Sequence, residues 1–131
     1  MLRERHILIV ASTQPQRALS SSLVANGFPA TTVESSERAL DQLAVSNCDL
    51  LIIDLSTLDD AIELIKRVRS VTTLKQLPIL VTGEWGTGLL SLALSAGADA
   101  GEPLPLSEAR MIESVERLLH RRAATVGAVN R

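Results

Sequence analysis

Asp54 closes the run Asp49-Leu50-Leu51-Ile52-Ile53-Asp54, which places a carboxylate at the C-terminal end of a strand apolar enough to be buried on both faces. In an open parallel α/β sheet that edge is where ligands bind, while the plainer role for such an aspartate is to shape the turn into the next helix. Thr82 ends a second apolar run, Pro78-Ile79-Leu80-Val81-Thr82, and so faces the same region. Other chemistries have less material. His6 and His120 lie at opposite ends of the chain without Cys, Asp or Glu at ligand spacing, which gives a zinc site no support. Cys48 is the only cysteine; it excludes an internal disulfide and reads as a small buried residue in a reducing compartment rather than a nucleophile. No nucleophile is paired with a base, so a hydrolase is disfavoured.

The elements that must position Asp54 and Thr82 follow from alternation between short apolar runs and helical stripes. Ile7-Leu8-Ile9-Val10 is a first strand, and Thr13-Gln14-Pro15-Gln16 has capping-box spacing with Pro at the first helical position. The helix that follows carries Ala18, Leu19, Leu23 and Val24 on one side and stops at Asn26-Gly27. Phe28 to Val33 is a second strand, with Pro29 placing it near an edge. A second helix, capped by Ser35 or Ser36, turns Ala39, Leu40, Leu43 and Ala44 inward and ends at Asn47. After Asp54, Thr57-Leu58-Asp59-Asp60 reads as the cap and acidic first turn of a third helix, buried through Leu58, Ala61, Ile62, Ile65 and Val68. Gly83-Glu84-Trp85-Gly86 is a loop at the same sheet edge as Asp54. Leu89 to Ala96 is a fourth helix ended by Gly97, Ala98 to Gly101 a weak fifth strand, and Ser107 to Arg122 a last helix packed through Met111, Ile112, Val115, Leu118 and Leu119.

Five strand-helix units predict a flavodoxin-like, doubly wound α/β fold, a five-stranded parallel sheet in the order 2-1-3-4-5 with five helices. Its switch point lies between the first and third strands, so Ala11-Ser12-Thr13 and Asp54 face each other across the ligand crevice. The 131 residues, 46% hydrophobic and 21% charged, suit one domain over residues 1–122, with 123–131 as a flexible tail. A net charge of -2 provides no field for nucleic acid or anionic lipid, and no apolar run is long enough for a membrane span. The N-terminus leads directly into a strand rather than a cleavable signal, so a cytoplasmic address is expected.

From Ile7 to about Arg122 the chain resembles the receiver domain of two-component response regulators. The markers are Ile7-Leu8-Ile9-Val10, Cys48 through Leu55, Pro78 through Thr82, Ala96-Gly97-Ala98-Asp99 and Pro105-Leu106-Ser107. The resemblance implies that Asp54 is the phosphoacceptor, that Thr82 contacts the phosphoryl group, that Pro105 follows a cis peptide bond and that Ser56 offers its carbonyl to a metal. It implies a histidine kinase or other signalling protein as partner, and no enzyme activity. Departures from the pattern stand beside these matches. The two acids that hold Mg2+ in the family fall on Ala11 and Ser12, the lysine that pairs with phosphoryl oxygens on Leu104, and the aromatic switch residue on Gly101. Lys66 and Lys75 are the only lysines, and both lie elsewhere in the chain.

Mg2+ prefers octahedral oxygen ligands with more than one negative group, and Asp54 helped by Ser12, Thr13 and the Ser56 carbonyl would hold it weakly. Asp59, Asp60, Glu84 and Glu102 read as capping or solvated residues rather than substitute acids. Asp54 is expected to be an ordinary ionised carboxylate and a poor acceptor, and Thr82 either satisfies its hydroxyl locally or keeps a phosphoryl contact. Trp85 either lids the site or packs over a helix end. Leu89, Leu92, Ala93 and Ala96 form one stripe of the fourth helix, and Leu90 and Leu94 extend apolar surface beyond it. That flank is either a wide core face or an interface, including a homodimer through the fourth and fifth helices. The reading is a degenerate receiver acting by protein interaction. The alternatives are a working phosphoacceptor with an altered metal site, and a flavodoxin-like cofactor binder, which Ala11-Ser12-Thr13-Gln14-Pro15 disfavours by lacking a phosphate-cradling glycine.

Overall fold

The computed structural model describes residues 5–12, 17–105 and 107–129. The longest apolar runs become the three inner strands, β1 (Ile7–Val10), β3 (Leu50–Asp54) and β4 (Ile79–Glu84), where cover on both faces buries every side chain except that of Glu84. The less apolar β2 (Ala30–Val33) and β5 (Ala100–Leu104) take the edges, giving a parallel sheet in the order β2-β1-β3-β4-β5. The helices are α1 (Arg17–Ala25), α2 (Ser36–Val45), α3 (Ala61–Ser70), α4 (Leu89–Ala96) and α5 (Glu108–Val129). This is the expected flavodoxin-like fold.

Period-two alternation sends Leu8, Val10, Leu51, Ile53, Ile79 and Val81 into a core under α2, α3 and α4. Ile7, Ile9, Leu50, Ile52 and Leu80 enter a second core with Leu19, Leu23, Met111, Val115 and Leu119 of α1 and α5. Each fully buried aliphatic side chain contributes about 1.5–3 kcal/mol. The same alternation assigns Asp54 and Thr82 to the α5 side of the sheet, at its C-terminal edge. Register carries the row onward from Asp54 to Thr82 and from Thr82 to Glu102.

Several local expectations are corrected. β5 runs from Ala100 to Leu104 rather than from Ala98 to Gly101. Gly97, at φ 128, closes α4 through bonds from its own N–H and that of Ala98, so strand pairing starts only at Ala100. Pro103, passed over as a strand residue, is tolerated because an edge strand leaves one side of its ladder open. Thr57 does not cap α3. Asp60 occupies that position without a side-chain cap bond, and its Oδ1 accepts from Ser36 Oγ at 2.7 Å. Ser35, one of two candidates, caps α2 by accepting from Arg38 N–H, and Ser46 closes the helix one residue before Asn47. Val24 and Ala44 face solvent, beyond the narrow stripes their short helices bury. Cys48 is half-buried, its Sγ donating to Leu50 O. α5 continues to Val129, past the Arg122 boundary drawn from the loss of apolar periodicity. The predicted cap at Thr13 to Gln16 lies outside the described residues.

On α4, Leu90 and Leu92 exchange places relative to the expected stripe. Leu92 is exposed and Leu90 packs inward with Leu89 and Ala93. Leu94 is exposed, as an outward flank requires.

Candidate functional site

The site is assembled where β1, β3 and β4 end. Asp54 is only 1% exposed, and Thr82, its neighbour in register, is equally buried. A carboxylate withdrawn from water must be compensated by donors. Asp54 Oδ1 accepts from Thr82 Oγ1 at 3.1 Å, Ser56 Oγ at 2.8 Å and Ser56 N–H at 3.3 Å. Asp54 Oδ2 accepts from Thr57 Oγ1 at 2.9 Å. Hydroxyls in the turn after β3 thus fold back onto the acid that opens that turn, as Ser and Thr side chains readily do.

A second connection crosses the switch point. Ser12 N–H donates to Thr57 Oγ1 at 3.1 Å, and Ser12 Oγ donates to the Thr57 carbonyl. The Thr57 hydroxyl therefore accepts from the β1 loop and donates to Asp54. Ser12 does face Asp54's turn across the crevice, with Thr57 between them. Ala11 is buried and hydrogen-bonds through its N–H to Val33 O, so its side chain adds apolar contact.

The remaining predicted positions are dispersed. Leu104 is half-buried in the wall of a cavity of about 240 Å³ formed with Trp85, Glu102, Pro103, Pro105, Ser107 and Arg110. Trp85 stands 78% exposed at that cavity and Asp54 is not among its lining residues, so the indole does not lid the carboxylate. The Leu104–Pro105 peptide is cis. Lys66 lies on the exposed side of α3 at 4.0 Å from Glu63, and Lys75 lines a separate cavity at the N-terminal edge of the sheet with Arg69 and Asp99. Neither lysine is at the site.

The acids considered as substitutes are engaged elsewhere or exposed. Glu102 stands two strands from Asp54 in the same row, about 10 Å away by strand spacing. It accepts from Ser114 Oγ at 3.3 Å and pairs with Arg110 Nε at 3.4 Å. Asp60 is bound to Ser36, and Asp59 and Glu84 are exposed. Among the described residues no group of three His, Cys, Asp or Glu converges on one point. Thr57 and the Glu102–Arg110 pair escape sequence reasoning, although a hydroxyl three residues after a strand-ending Asp is a recognisable turn signal for the first.

No family model matches the chain, and no curated protein matches it. Solved structures do. A protein described as a response regulator from Chloroflexus aurantiacus superposes with a TM-score of 0.85 at 27% identity, covering 90% of this chain and 99% of that one. The receiver domain of a signal transduction histidine kinase from Syntrophus aciditrophicus gives 0.81 at 24% identity, covering 88% and 90%. NtrX from Brucella abortus gives 0.87 at 20% identity, covering 98% of this chain and 29% of the longer one. The parallel sheet in the order β2-β1-β3-β4-β5 with its five helices is the fold of the response-regulator receiver domains.

Proposed function

We propose that this chain is a receiver-type signalling domain of a two-component or phosphorelay pathway whose phosphorylation site is degenerate. It works by binding a histidine kinase or another signalling protein, in the cytoplasm, without enzymatic activity of its own. The observation that carries this reading is the shell around Asp54. Three hydroxyls and an amide engage its oxygens, and the described surroundings supply neither a second carboxylate nor a lysine.

Phosphoryl transfer is catalysed by positioning and by cations that neutralise the spreading charge. The hydroxyls and the amide that donate to Asp54 among the described residues are neutral. Mg2+ wants several oxygen ligands with more than one negative charge, and the hydroxyls here already spend their protons on Asp54 or on Thr57 O. Among the described residues the donor set does not fit the ion. For Asp54 to attack a phosphorus atom, one oxygen would have to shed a hydroxyl that now donates to it.

One observation favours the second reading, a working phosphoacceptor with an altered site. Asp54 and Thr82 remain within hydrogen-bond distance, the relation a phosphoryl group on Asp54 would need. The readings part on labelling by acetyl phosphate with Mg2+, followed by intact mass on wild type and Asp54→Ala. Transfer would form an acyl phosphate on Asp54 and release acetate; the degenerate reading expects no mass gain.

A further inference from the structure

Two glycines stand in strands without a backbone reason. Gly83 in β4 and Gly101 in β5 are not at positive φ, and a strand glycine costs about 0.5–1 kcal/mol relative to alanine, so close approach of a neighbour must account for them. At Gly101 that neighbour is Leu90; at Gly83 it is Leu55, with Leu90 in ordinary contact beside it. A β-carbon on Gly101 would meet Leu90 Cδ2 at 3.0 Å and Val81 Cγ2 at 3.5 Å. One on Gly83 would meet Leu55 Cδ1 at 3.2 Å and Leu90 Cδ2 at 3.6 Å. The two glycines form the floor of a groove, and one leucine methyl fills it.

The other end of α4 is held by Arg69 of α3. Its Nε donates to Gly97 O at 2.9 Å and its Nη2 to Asp99 Oδ2 at 2.9 Å, while Nη1 reaches the carbonyls of Leu74, Lys75 and Leu77. Asp99 Oδ2 also accepts from Ile79 N–H at 2.8 Å, which ties the clamp to the start of β4. A planar guanidinium with its donors committed to fixed carbonyls tolerates little sliding.

We infer that α4 is latched at both ends, by Leu90 in the Gly83/Gly101 groove and by Arg69 on the α4–β5 turn, so that its outward face is presented in one arrangement whatever the state of Asp54. That face carries Leu92 and Leu94, with Trp85 in the loop before it. The inference rests on the receiver reading and adds to it that output does not depend on a movement of α4. Space explains why. The backbone next to Thr82 cannot shift toward α4 without compressing Leu55 and Leu90, and packed cores respond to such shifts in discrete steps rather than by yielding.

Amide hydrogen exchange across residues 89–97 tests the latch in wild type, wild type treated with acetyl phosphate and Mg2+, Asp54→Asn, Leu90→Ala and Gly101→Ala. The latch requires less than about twofold change for treatment and for Asp54→Asn, and about tenfold or greater acceleration for Leu90→Ala, because a vacated groove lowers the local opening energy. Gly101→Ala, which leaves the rest of the core intact, must also accelerate exchange in α4 by pushing Leu90 out. Unchanged exchange in both Leu90→Ala and Gly101→Ala overturns the latch, as does acceleration in Asp54→Asn. The two readings fail separately. A mass gain on Asp54 with α4 exchange unchanged removes the degenerate site and keeps the latch. Absence of a mass gain together with a loosened α4 in Asp54→Asn does the reverse.

Discussion

Replacing Thr57 by valine removes one hydroxyl and nearly conserves shape, so its effect measures what that hydroxyl does at the switch point. Two hydrogen bonds disappear together, from Thr57 Oγ1 to Asp54 Oδ2 at 2.9 Å and from Ser12 N–H to Thr57 Oγ1 at 3.1 Å. The first ends on a carboxylate that is 1% exposed, where loss of a hydrogen bond to a charged group costs about 1.5–3 kcal/mol. The second starts at an exposed residue whose N–H water can take over, so it adds little. The expected destabilisation is about 2 kcal/mol, or a fall in Tm of about 8 °C at roughly 4 °C per kcal/mol for a domain of this size. Thr57→Ser keeps the hydroxyl and loses a half-buried methyl, worth less than about 1 kcal/mol. Urea unfolding of the three proteins, with m-values compared, separates the cases. If Thr57→Val lies within about 0.5 kcal/mol of wild type, or matches Thr57→Ser, the hydroxyl is not holding Asp54 and the account of the site fails.

Other consequences are as direct. Arg69→Met takes the guanidinium donors from the part-buried carbonyls of Leu77 and Gly97 and from Asp99, which keeps the Ile79 N–H, and should cost about 3 kcal/mol or more in urea unfolding; a cost below about 1 kcal/mol contradicts the clamp. Mg2+ at millimolar concentration should raise Tm by less than about 1 °C, because an ion that binds weakly adds little linkage energy; a rise growing steadily with concentration shows a working site. Leu92→Asp should be nearly neutral, within about 0.5 kcal/mol, whereas Leu90→Asp should unfold the domain or destabilise it by more than about 3 kcal/mol. Equal effects of the two would mean that α4 is rotated from the orientation described.

The fold was legible because its strongest signals are local. Ile7–Val10 and Leu50–Asp54 are unbroken apolar runs, which suit buried parallel strands, and Gly27 and Gly97 mark helix ends by a conformation few other residues accept. Asp54 and Thr82 were readable as one site since strand ends in this topology share an edge. Thr57 was misread, because its position before two acids fits a helix cap as well as it fits a partner for Asp54, and only the third dimension decides between them. Leu90 and Leu92 were exchanged for a related reason. On a short helix with apolar residues on most sides, periodicity leaves the inward face undetermined, and the choice was made by Gly83 and Gly101, which contribute space rather than side chains. The β5 boundary moved because an edge strand can absorb Pro103, a residue that argues against a strand when it is read alone.

The most direct test of the proposed degenerate site is intact mass after incubation with acetyl phosphate and Mg2+, on wild type and Asp54→Ala, beside an ordinary receiver labelled under the same conditions. A degenerate site requires that the ordinary receiver gain a phosphoryl group and that neither form of this protein do so. A phosphoryl gain on wild type that disappears in Asp54→Ala would contradict it, and would show that Asp54 accepts phosphate without the acids and the lysine this chain lacks.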